Sequence, residues 1–371
     1  MSQRLLLAAI VALFASPTLF AKEAKIPHTT IDGDALNWYD ARELDVEGRG
    51  WSDVKDYYDR LPAKAEGVVR DAVWNLSRNS AGMCVRFAAD TPSIAVRWTL
   101  KSATLGLPHM AATGVSGVDL YGQTDNGSWR WIAVGKPAAL ETKQTLVSTL
   151  PAGLREYRVY LPLYNGVTSV QIGLPASARI ARSSDAALKK KPVVFYGTSI
   201  MHGACASRTG MAQSSIIGRR IGAPVINLGF SGNGKMEPEL AQLLAEIDAS
   251  VYVLDTLPNM EAVLVKERAE AFVLALRKAR PNVPIVLVED RSYADAYWVP
   301  SRRERNEGSR REFRAAYERL LKAGVTGLTY VEGSQLLRDD GEDTVDGSHP
   351  TDLGFMRYAD ILTPIIQKAM P

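Results

Sequence analysis

The chain has 371 residues, of which 46% are hydrophobic and 23% charged, and its 44 basic and 41 acidic side chains give a formal net charge of +3. These values lie close to the averages for soluble globular proteins, so they exclude a disordered, collagen-like or low-complexity chain. With nearly equal numbers of basic and acidic side chains, the chain shows no sign of the clearly basic surface that binding to nucleic acid requires. The length predicts two domains, each able to bury a core of its own.

The first 21 residues have the layout of a cleavable secretory signal peptide. Arg4 is their only charged residue, and the apolar run Leu5–Ala15 follows it before a Ser-Pro pair and the small residue Ala21. The run is too short to span a bilayer comfortably, and a membrane anchor is the alternative interpretation. We therefore expect export to the periplasm or the medium, with no membrane span in the mature chain.

Residues 22–185 are predicted to form an all-β domain. Short runs rich in β-branched and aromatic residues alternate there with turns rich in Gly, Asn and Pro, and long helical periodicity is absent. This pattern is typical of an antiparallel β-sandwich or jelly roll. The predicted strands are Met83–Ala88, Ile94–Leu100, Val118–Tyr121, Trp129–Val134, Glu156–Leu161 and Thr168–Leu174.

Residues 186–371 are predicted to form a second domain, and their different pattern begins beyond a polar, basic connector at residues 181–192. Short apolar runs alternate with longer helical segments, and this alternation predicts an α/β domain with a parallel sheet. Functional sites in such sheets lie beyond the carboxyl ends of the strands. The predicted strands are Val193–Tyr196, Val225–Leu228, Val251–Leu254, Ile285–Val288 and Leu328–Val331, and the predicted helices are Gln213–Ile221, Pro238–Ile247, Glu261–Arg280 and Arg303–Ala323.

Three of these strand ends carry residues with catalytic potential. After the first strand, Ser199 precedes a helix, where it can act as an exposed nucleophile or simply cap the helix. The second strand leads into a loop with Gly229, Gly232 and Gly234, whose N–H groups can face an oxyanion or belong to a tight turn. After the third strand, Asn259 can donate an amide N–H to an oxyanion, or it belongs to an ordinary turn beside proline.

A carboxylate and an imidazole lie three residues apart near the end of the chain, at Asp346 and His349. One turn can present both side chains to the same side. The carboxylate can then accept a hydrogen bond from one ring nitrogen, which leaves the other nitrogen free as a base. The acidic residues at 339–343 do not follow the ligand spacing of an EF-hand, so we predict no metal site there.

Taken together, these segments resemble the GDSL/SGNH hydrolase superfamily over about residues 192–371. Ser199 in the sequence GTSI corresponds to the first block of that family, Gly232 to the second, Asn259 to the third, and DGSHPTDLG at residues 346–354 to the last. Thr198 stands where the family usually has Asp, which points to a divergent branch. The resemblance implies a flavodoxin-like α/β hydrolase domain.

The front half carries a second resemblance. The segment GVDLY at residues 117–121 is similar to the GxDLY signature of the β-sandwich domain that precedes some bacterial SGNH hydrolases. The resemblance leaves two roles open for this domain, which either contacts carbohydrate or lies over the hydrolase cleft as a structural lid.

The superfamily resemblance implies ester hydrolysis through an acyl-enzyme. His349 would take the proton of Ser199, Ser199 would attack the carbonyl carbon, and Asp346 would orient His349. The N–H groups of Ser199 and Gly232 and the side chain of Asn259 would form the oxyanion hole. This mechanism requires no metal and no organic cofactor.

Five further side chains are candidates for lining the substrate site. Arg291, Tyr293 and Trp298 lie on the loop after the fourth strand, where they suit a sugar-binding wall or pack against the neighbouring domain. His202 follows Ser199 by one helical turn and lines the pocket or packs in the core. His109 belongs to the sandwich half, and it either reaches over the cleft or stays within its own domain.

The leading interpretation is an exported serine esterase that removes acetyl or similar small acyl groups from carbohydrate. The alternatives are a broad small-acyl or aryl esterase or thioesterase and, in a different class, a non-catalytic glycan-binding protein. The expected partner is a small-molecule or glycan ester, and no nucleic acid is expected. The two cysteines, Cys84 and Cys205, are too few for a disulfide framework or a cysteine-rich zinc site, so we expect two buried free thiols.

Overall fold

The computed structural model describes residues 26–30 and 35–371. The predicted signal peptide, residues 1–21, lies outside these described residues. Within them, the front half of the chain forms two antiparallel sheets and the back half forms one parallel sheet flanked by helices. Among the described helices, none has the length and apolar character that crossing a membrane requires.

Eleven described strands build the two antiparallel sheets. They are β1 (Thr29–Thr30), β2 (Leu36–Asp40), β3 (Asp45–Glu47), β4 (Cys84–Asp90), β5 (Ile94–Leu100), β6 (Val118–Gln123), β7 (Trp129–Gly135), β8 (Glu141–Val147), β9 (Arg155–Tyr160), β10 (Val167–Pro175) and β11 (Arg179–Arg182). One sheet has the order β1-β2-β10-β5-β8, and the other has the order β11-β4-β9-β6-β7, with β3 paired to β4.

The two antiparallel sheets share one hydrophobic core, as expected for a sandwich. Trp98 of β5 and Ile172 of β10 enter this core from the first sheet, and Phe87 of β4 and Val159 of β9 enter it from the second. All four side chains are fully buried. Because successive residues of a strand point to opposite faces, alternate positions of β5 and β10 reach this core. The structure confirms the predicted antiparallel sandwich.

The remaining strands form a five-stranded parallel sheet with helices on both faces. The strands are β12 (Val193–Gly197), β13 (Val225–Gly229), β14 (Val251–Asp255), β15 (Ile285–Val288) and β16 (Leu328–Val331). The α-helices among residues 26–30 and 35–371 are α1 (Asp71–Ser77), α2 (Ala112–Val115), α3 (Ser199–His202), α4 (Gln213–Ile221), α5 (Pro238–Glu246), α6 (Ala262–Ala279), α7 (Pro300–Lys322) and α8 (Asp352–Ala369).

The order of the parallel strands is β13-β12-β14-β15-β16, which is the flavodoxin-like order 2-1-3-4-5. The sheet is buried on both sides, since α5, α6 and α7 cover one face and α4 and α8 cover the other. Along β12, Val194 and Tyr196 therefore join one core, while Val193 and Phe195 join the other. This arrangement confirms the predicted α/β fold.

The two halves of the chain are joined over a broad contact, and the segment around α1 belongs to it. Leu61, Val73 and Trp74 precede the sandwich strand β4, yet they pack in the same core as Leu240 of α5. The connector is also held in place, because Glu156 accepts hydrogen bonds from the N–H and hydroxyl groups that follow β11. The predicted division at residue 185 therefore separates the antiparallel sheets from the parallel sheet. It does not separate the hydrophobic cores, because residues of the front half pack in the core of the parallel sheet.

The GVDLY segment on β6 links the two halves of the chain, because its successive side chains point to opposite faces of the sheet. Val118 and Leu120 point into the sandwich core. Asp119 and Tyr121 point the other way, where the carboxylate of Asp119 accepts from Arg208 Nη1 at 2.5 Å and from the N–H of Gly210 at 3.0 Å. Tyr121 accepts from the same guanidinium at 2.6 Å. Since all four side chains are buried, this signature links the two domains and presents no exposed side chain.

Candidate active site

The candidate nucleophile lies at the first turn after β12. Thr198 caps α3, because its Oγ1 accepts from the N–H of Ile200 at 3.3 Å, and Ser199 is the first residue of the helix. The alternative that Ser199 merely caps the helix therefore does not hold. The helix ends after one turn at Gly203, whose φ of 115° is the left-handed conformation that glycine adopts readily.

The structure brings Ser199, His349 and Asp346 into one hydrogen-bonded relay, although 150 positions separate the serine from the histidine. Ser199 Oγ lies 2.8 Å from His349 Nε2, and His349 Nδ1 lies 2.8 Å from Asp346 Oδ2. The serine is nearly buried, with 8% of its surface exposed, and the histidine side chain is 24% exposed. This is the geometry in which a serine hydroxyl can be activated by an adjacent base.

Asp346 is held ionised by its surroundings. Partial burial raises the pKa of its carboxyl group, but hydrogen bonds from the backbone and ring of His349 and from the N–H of Ser348 outweigh that effect and lower the pKa to about 2. The two backbone bonds to Oδ1 measure 2.8 Å and 3.0 Å. An ionised Asp346 keeps the proton on His349 Nδ1, so the lone pair of Nε2 faces the serine.

Arg291 holds the loop that carries this pair. Its Nε donates to the carbonyl oxygen of Ser348 at 3.1 Å, its Nη2 donates to Ser348 Oγ, and its Nη1 pairs with Asp290. The side chain of Arg291 is fully buried, so it offers no surface to a substrate. The expectation that Arg291 lines the substrate site is therefore corrected to a positioning role behind the catalytic loop.

The three predicted oxyanion donors follow three neighbouring strands, β13, β12 and β14. Gly232 has a φ of +69°, and a Cβ at this position would meet nothing within 4 Å, so the N–H lies on an open loop. The loop is pressed against the end of β12, since a Cβ on Gly234 would lie 2.0 Å from the carbonyl oxygen of Gly197. Gly234 is thus required by the close approach of the backbone of β12, and Gly232 by its left-handed backbone conformation.

Asn259 joins this loop through its side-chain amide. Its Oδ1 can accept from the N–H groups of Asn233 and Gly234, at 3.1 Å and 3.3 Å. That orientation satisfies the amide oxygen and leaves Nδ2 to donate elsewhere. Asn259 is only partly buried, and in this orientation its Nδ2 is a candidate donor to a negatively charged oxygen.

His202 packs beneath the candidate nucleophile and does not face a substrate. It is fully buried, its Nε2 lies 2.7 Å from the carbonyl oxygen of Leu163, and its ring stacks on Tyr164 with centroids 4.2 Å apart. Burial, together with the nearby charge of Arg60, lowers the pKa of His202 well below its usual value. The expectation that His202 lines the pocket is corrected, because its neutral, packed imidazole fixes the end of α3 to Leu163 and Tyr164.

Two residues of the sandwich half support the site and carry no sequence signal that could have identified them. Tyr164 donates its hydroxyl hydrogen to the carbonyl oxygen of Ser199 at 3.3 Å. The fully buried Arg60 donates to the carbonyl oxygens of Asn227 and Gly229 at 3.1 Å and 2.8 Å, at the end of β13. The front half of the chain thus helps to shape the catalytic centre.

His109 reaches the centre from the sandwich half as well. It lies exposed on a two-residue turn, and its ring centroid is 5.8 Å from that of His349. Cys205 lies beside the same pair of rings, nearly buried, and its burial raises the pKa of the thiol to about 12. Cys84 is the other cysteine, and both are buried and free of disulfide bonds, as predicted.

The loop after β15 places its aromatic residues differently. Tyr293 is partly covered by guanidinium groups, with those of Arg291 and Arg302 at 4.4 Å and 5.2 Å from the ring centroid. Trp298 and Tyr297 are 80% and 79% exposed and form a T-shaped pair with centroids 4.8 Å apart. The loop that carries this pair contacts the loop of Asp346 and His349, because the N–H of residue 294 donates to the carbonyl oxygen of residue 347 at 2.9 Å. A cavity of about 300 Å³ lies beside Tyr293 and Tyr297.

Comparison with known proteins places this chain in a family. Residues 190–367 match the GDSL-like lipase/acylhydrolase family, and residues 36–180 match the GxDLY domain, the N-terminus of SGNH-hydrolase-type esterases. The structure of a GDSL-like lipase from Bacteroides ovatus is similar over 90% of this chain and 98% of its own, with 34% sequence identity and a TM-score of 0.85. The chain belongs to the GDSL/SGNH esterase family.

More distant structures share the fold of this SGNH esterase. The salicylyl-acyltransferase SsfX3 from a tetracycline biosynthetic pathway is 20% identical, with a TM-score of 0.69 over 90% of this chain and 97% of its own. A family two carbohydrate esterase from Clostridium thermocellum, solved with cellohexaose, is 14% identical, with a TM-score of 0.56 over 78% of this chain and 92% of its own. Among curated proteins, no sequence matches this chain.

Proposed function

We propose that this SGNH esterase hydrolyses carboxylic esters through an acyl-enzyme and that its substrate is O-acetylated carbohydrate. The observation that carries the catalytic part is the relay in which Ser199, His349 and Asp346 are joined by two hydrogen bonds of 2.8 Å. A hydroxyl, an imidazole and an ionised carboxylate in this order are the components of serine acyl transfer.

In the first half of the reaction, Ser199 Oγ attacks the ester carbonyl carbon while His349 Nε2 accepts the hydroxyl proton. Asp346 stabilises the resulting imidazolium through Nδ1–H. The carbonyl oxygen gains negative charge, and the N–H groups of Ser199 and Gly232 and the amide of Asn259 donate to it. His349 then gives its proton to the leaving alcohol, and the acyl group stays on Ser199.

In the second half, water replaces the alcohol. His349 takes a proton from the water as its oxygen attacks the acyl carbon. When the intermediate collapses, the bond between the acyl carbon and Ser199 Oγ breaks, His349 returns the proton to Oγ, and the carboxylic acid is released. The arrangement of the chain's own residues supports each proton transfer, and no step requires a metal or an organic cofactor.

The carbohydrate part of the proposal rests on the loop after β15. The exposed aromatic pair Tyr297 and Trp298 lies on this loop, which contacts the loop of His349 through a hydrogen bond of residue 294, and aromatic faces suit the apolar faces of sugar rings. Structures with the same fold include carbohydrate esterases, one of them solved with cellohexaose. We also propose export, which the signal-peptide pattern of residues 1–21 supports.

Two measurements on the purified protein test this function. Labelling with a fluorophosphonate probe followed by peptide mapping should place the label on Ser199, and Ser199→Ala should remove both label and activity. Acetate release should then be compared between acetylated oligosaccharides and short p-nitrophenyl esters.

Each other outcome selects a different function. Activity confined to the p-nitrophenyl esters would replace the carbohydrate substrate with a broad small-acyl or aryl specificity. Binding of glycan without labelling or turnover would replace the esterase with a glycan-binding protein.

A further inference from the structure

We propose that His109, Cys205 and His349 form a binding site for a soft divalent cation such as Zn²⁺, and that occupation of this site switches the esterase off. The inhibitory part rests on the proposed function, because it assumes that His349 is the catalytic base. The binding part stands on the geometry of the three side chains alone.

The three side chains can act as ligands of one ion. One donor atom from each lies within 4.8 Å of the donor atoms of the other two. Bonds of about 2.0–2.3 Å from zinc to imidazole nitrogen and thiolate sulfur place tetrahedral ligands roughly 3.3–3.8 Å apart. Contractions on the order of 1 Å would close the site. Rotation of the exposed His109 side chain shortens its two distances, and rotation of the partly exposed His349 ring shortens the distance to Cys205.

The backbone holds each ligand in place on a separate segment. The turn that carries His109 is closed by two hydrogen bonds between residues 107 and 110, of 3.0 Å and 3.1 Å. Met110, next to His109, is buried in the hydrolase core, so this turn is anchored on the opposite half of the molecule. Cys205 donates its N–H to the carbonyl oxygen of Pro350 at 3.0 Å, immediately after His349. The site is therefore complete only when the two halves are docked.

The chemistry of the donors selects the ion. Two imidazoles and one thiol are ligands typical of zinc and cobalt, whereas calcium and magnesium prefer oxygen. Asp346 accepts from Nδ1 of His349, and a metal-bound histidine generally donates its second N–H to such a carboxylate. A relay built for proton transfer thus also supplies the outer partner of a metal site.

Binding of the ion blocks the proposed mechanism, because His349 exchanges its hydrogen bond with Ser199 for a bond to the ion. The ion forms a bond to Nε2 of His349 and thereby takes the lone pair that would accept the proton of Ser199. It also forms a bond to Sγ of Cys205, whose proton is released to solvent. The hydrogen bond of 2.8 Å between Ser199 and His349 is lost, so the serine is no longer activated.

Binding is tested directly on the purified full chain. Zn²⁺ should bind with a stoichiometry of one in isothermal titration calorimetry, and Co²⁺ should produce a sulfur-to-cobalt charge-transfer band. His109→Ala and Cys205→Ser should each weaken Zn²⁺ binding by at least about tenfold, and Cys205→Ser should abolish the cobalt band. His28→Ala and Cys84→Ser are the matched controls and should bind as the wild type does, since both residues lie outside the proposed site.

Inhibition is measured separately, with each variant normalised to its own rate without metal. The Zn²⁺ concentration for half inhibition should rise at least about tenfold in His109→Ala and Cys205→Ser, in parallel with the binding constants.

Wild-type protein that binds no Zn²⁺, or variants that bind as tightly as the wild type, would overturn the site whatever the activity. Specific binding without loss of activity would overturn the inhibition. An inactive protein that still shows the cobalt band would overturn the proposed function and leave the metal site standing. If Cys205→Ser does not fold, the exposed His109→Ala decides the outcome.

Discussion

The carboxylate of Asp119 and the guanidinium of Arg208 form an ion pair of 2.5 Å that joins the sandwich to the hydrolase domain. Asp119 is fully buried, while the side chain of Arg208 remains 22% exposed. The same carboxylate accepts from the N–H of Gly210, so it organises the segment that follows α3. The GxDLY signature thus holds the segment between α3 and α4 from a different domain.

We expect Asp119→Asn to destabilise the protein. The substitution removes the charge opposite Arg208 and turns an amide toward its guanidinium, and breaking a buried ion pair costs about 3–5 kcal/mol. Because Arg208 keeps some contact with water, the loss should lie at the lower end of that range. Chemical denaturation measures it. Asp248→Asn, which removes the exposed ion pair with Lys191, is the control and should change the free energy of unfolding by at most about 1 kcal/mol. Equal effects of the two substitutions would refute the proposed link.

The relay predicts a graded loss of turnover. Ser199→Ala should remove detectable acyl-enzyme formation, and Asp346→Asn should lower kcat by about 10⁴-fold, because an amide favours the wrong tautomer of His349. Since the pKa of Asp346 is lowered to about 2, this residue stays ionised at any pH at which the protein is assayed. The wild-type pH profile should therefore show no loss of activity from protonation of Asp346. A kcat of Asp346→Asn within tenfold of the wild type would show that Asp346 does not orient the base.

The sequence predicts the parallel sheet well because most of its strands are apolar runs buried on both faces. Ile285–Val288, a continuous apolar run, agrees with the structure at both ends. The edge strand Leu328–Val331 also agrees at both ends, although it contains Thr329 and is only partly buried. Strand β8, ETKQTLV, was not predicted, because it is a largely exposed edge strand and lacks a clear alternation of apolar residues. The short strand β3 and the helix α1 were also missed, since few residues carry their pattern.

The candidate site likewise contains some residues that the sequence identifies and others that it does not. Ser199 and His349 could be found from the sequence because each lies in a short motif after a predicted element. Arg60 and Tyr164 act on the same centre from the other half of the chain, and their contacts are with backbone carbonyl groups. Any surrounding sequence can supply a carbonyl group, so such contacts leave no local pattern. Arg291 was found, but its burial, which decides its role, depends on the packing of α7 and the catalytic loop.

Trp298 should contribute to binding of carbohydrate and not to chemistry. We expect Trp298→Ala to raise KM for acetylated oligosaccharides by roughly 2–10-fold, which corresponds to the loss of about 0.5–1.5 kcal/mol from one aromatic contact. p-Nitrophenyl acetate is too small to reach from Ser199 to Trp298, so its KM should change less than twofold. Steady-state kinetics with both substrates measures the difference. Trp298→Phe keeps an aromatic face and should restore most of the binding. Identical shifts for both substrates would place Trp298 outside a sugar subsite.

Asp255 should make the stability of the protein depend on pH in an unusual direction. It lies at the end of β14, fully buried, and burial raises its pKa to about 7 despite a hydrogen bond of 3.0 Å from Tyr358. Its Oδ1 and the Oε1 of Gln213 are buried atoms for which the described part of the chain offers no partner, as expected if the carboxyl group carries a proton.

The sign follows from the proton balance. Between about pH 4, where an unfolded aspartate titrates, and about pH 7, the folded state holds a proton that the unfolded state has released. The contribution of Asp255 to the free energy of unfolding is therefore largest below pH 4 and falls as the pH rises to 7, by at most about 1.4 kcal/mol per pH unit. Asp255→Asn is neutral throughout and should be the more stable protein at pH 8, with a flatter dependence between pH 4 and 7. Urea denaturation of both proteins across this range, with Asp248→Asn as an exposed control, measures the effect. Parallel curves for the wild type and Asp255→Asn would mean that Asp255 is already ionised in the folded protein at pH 5.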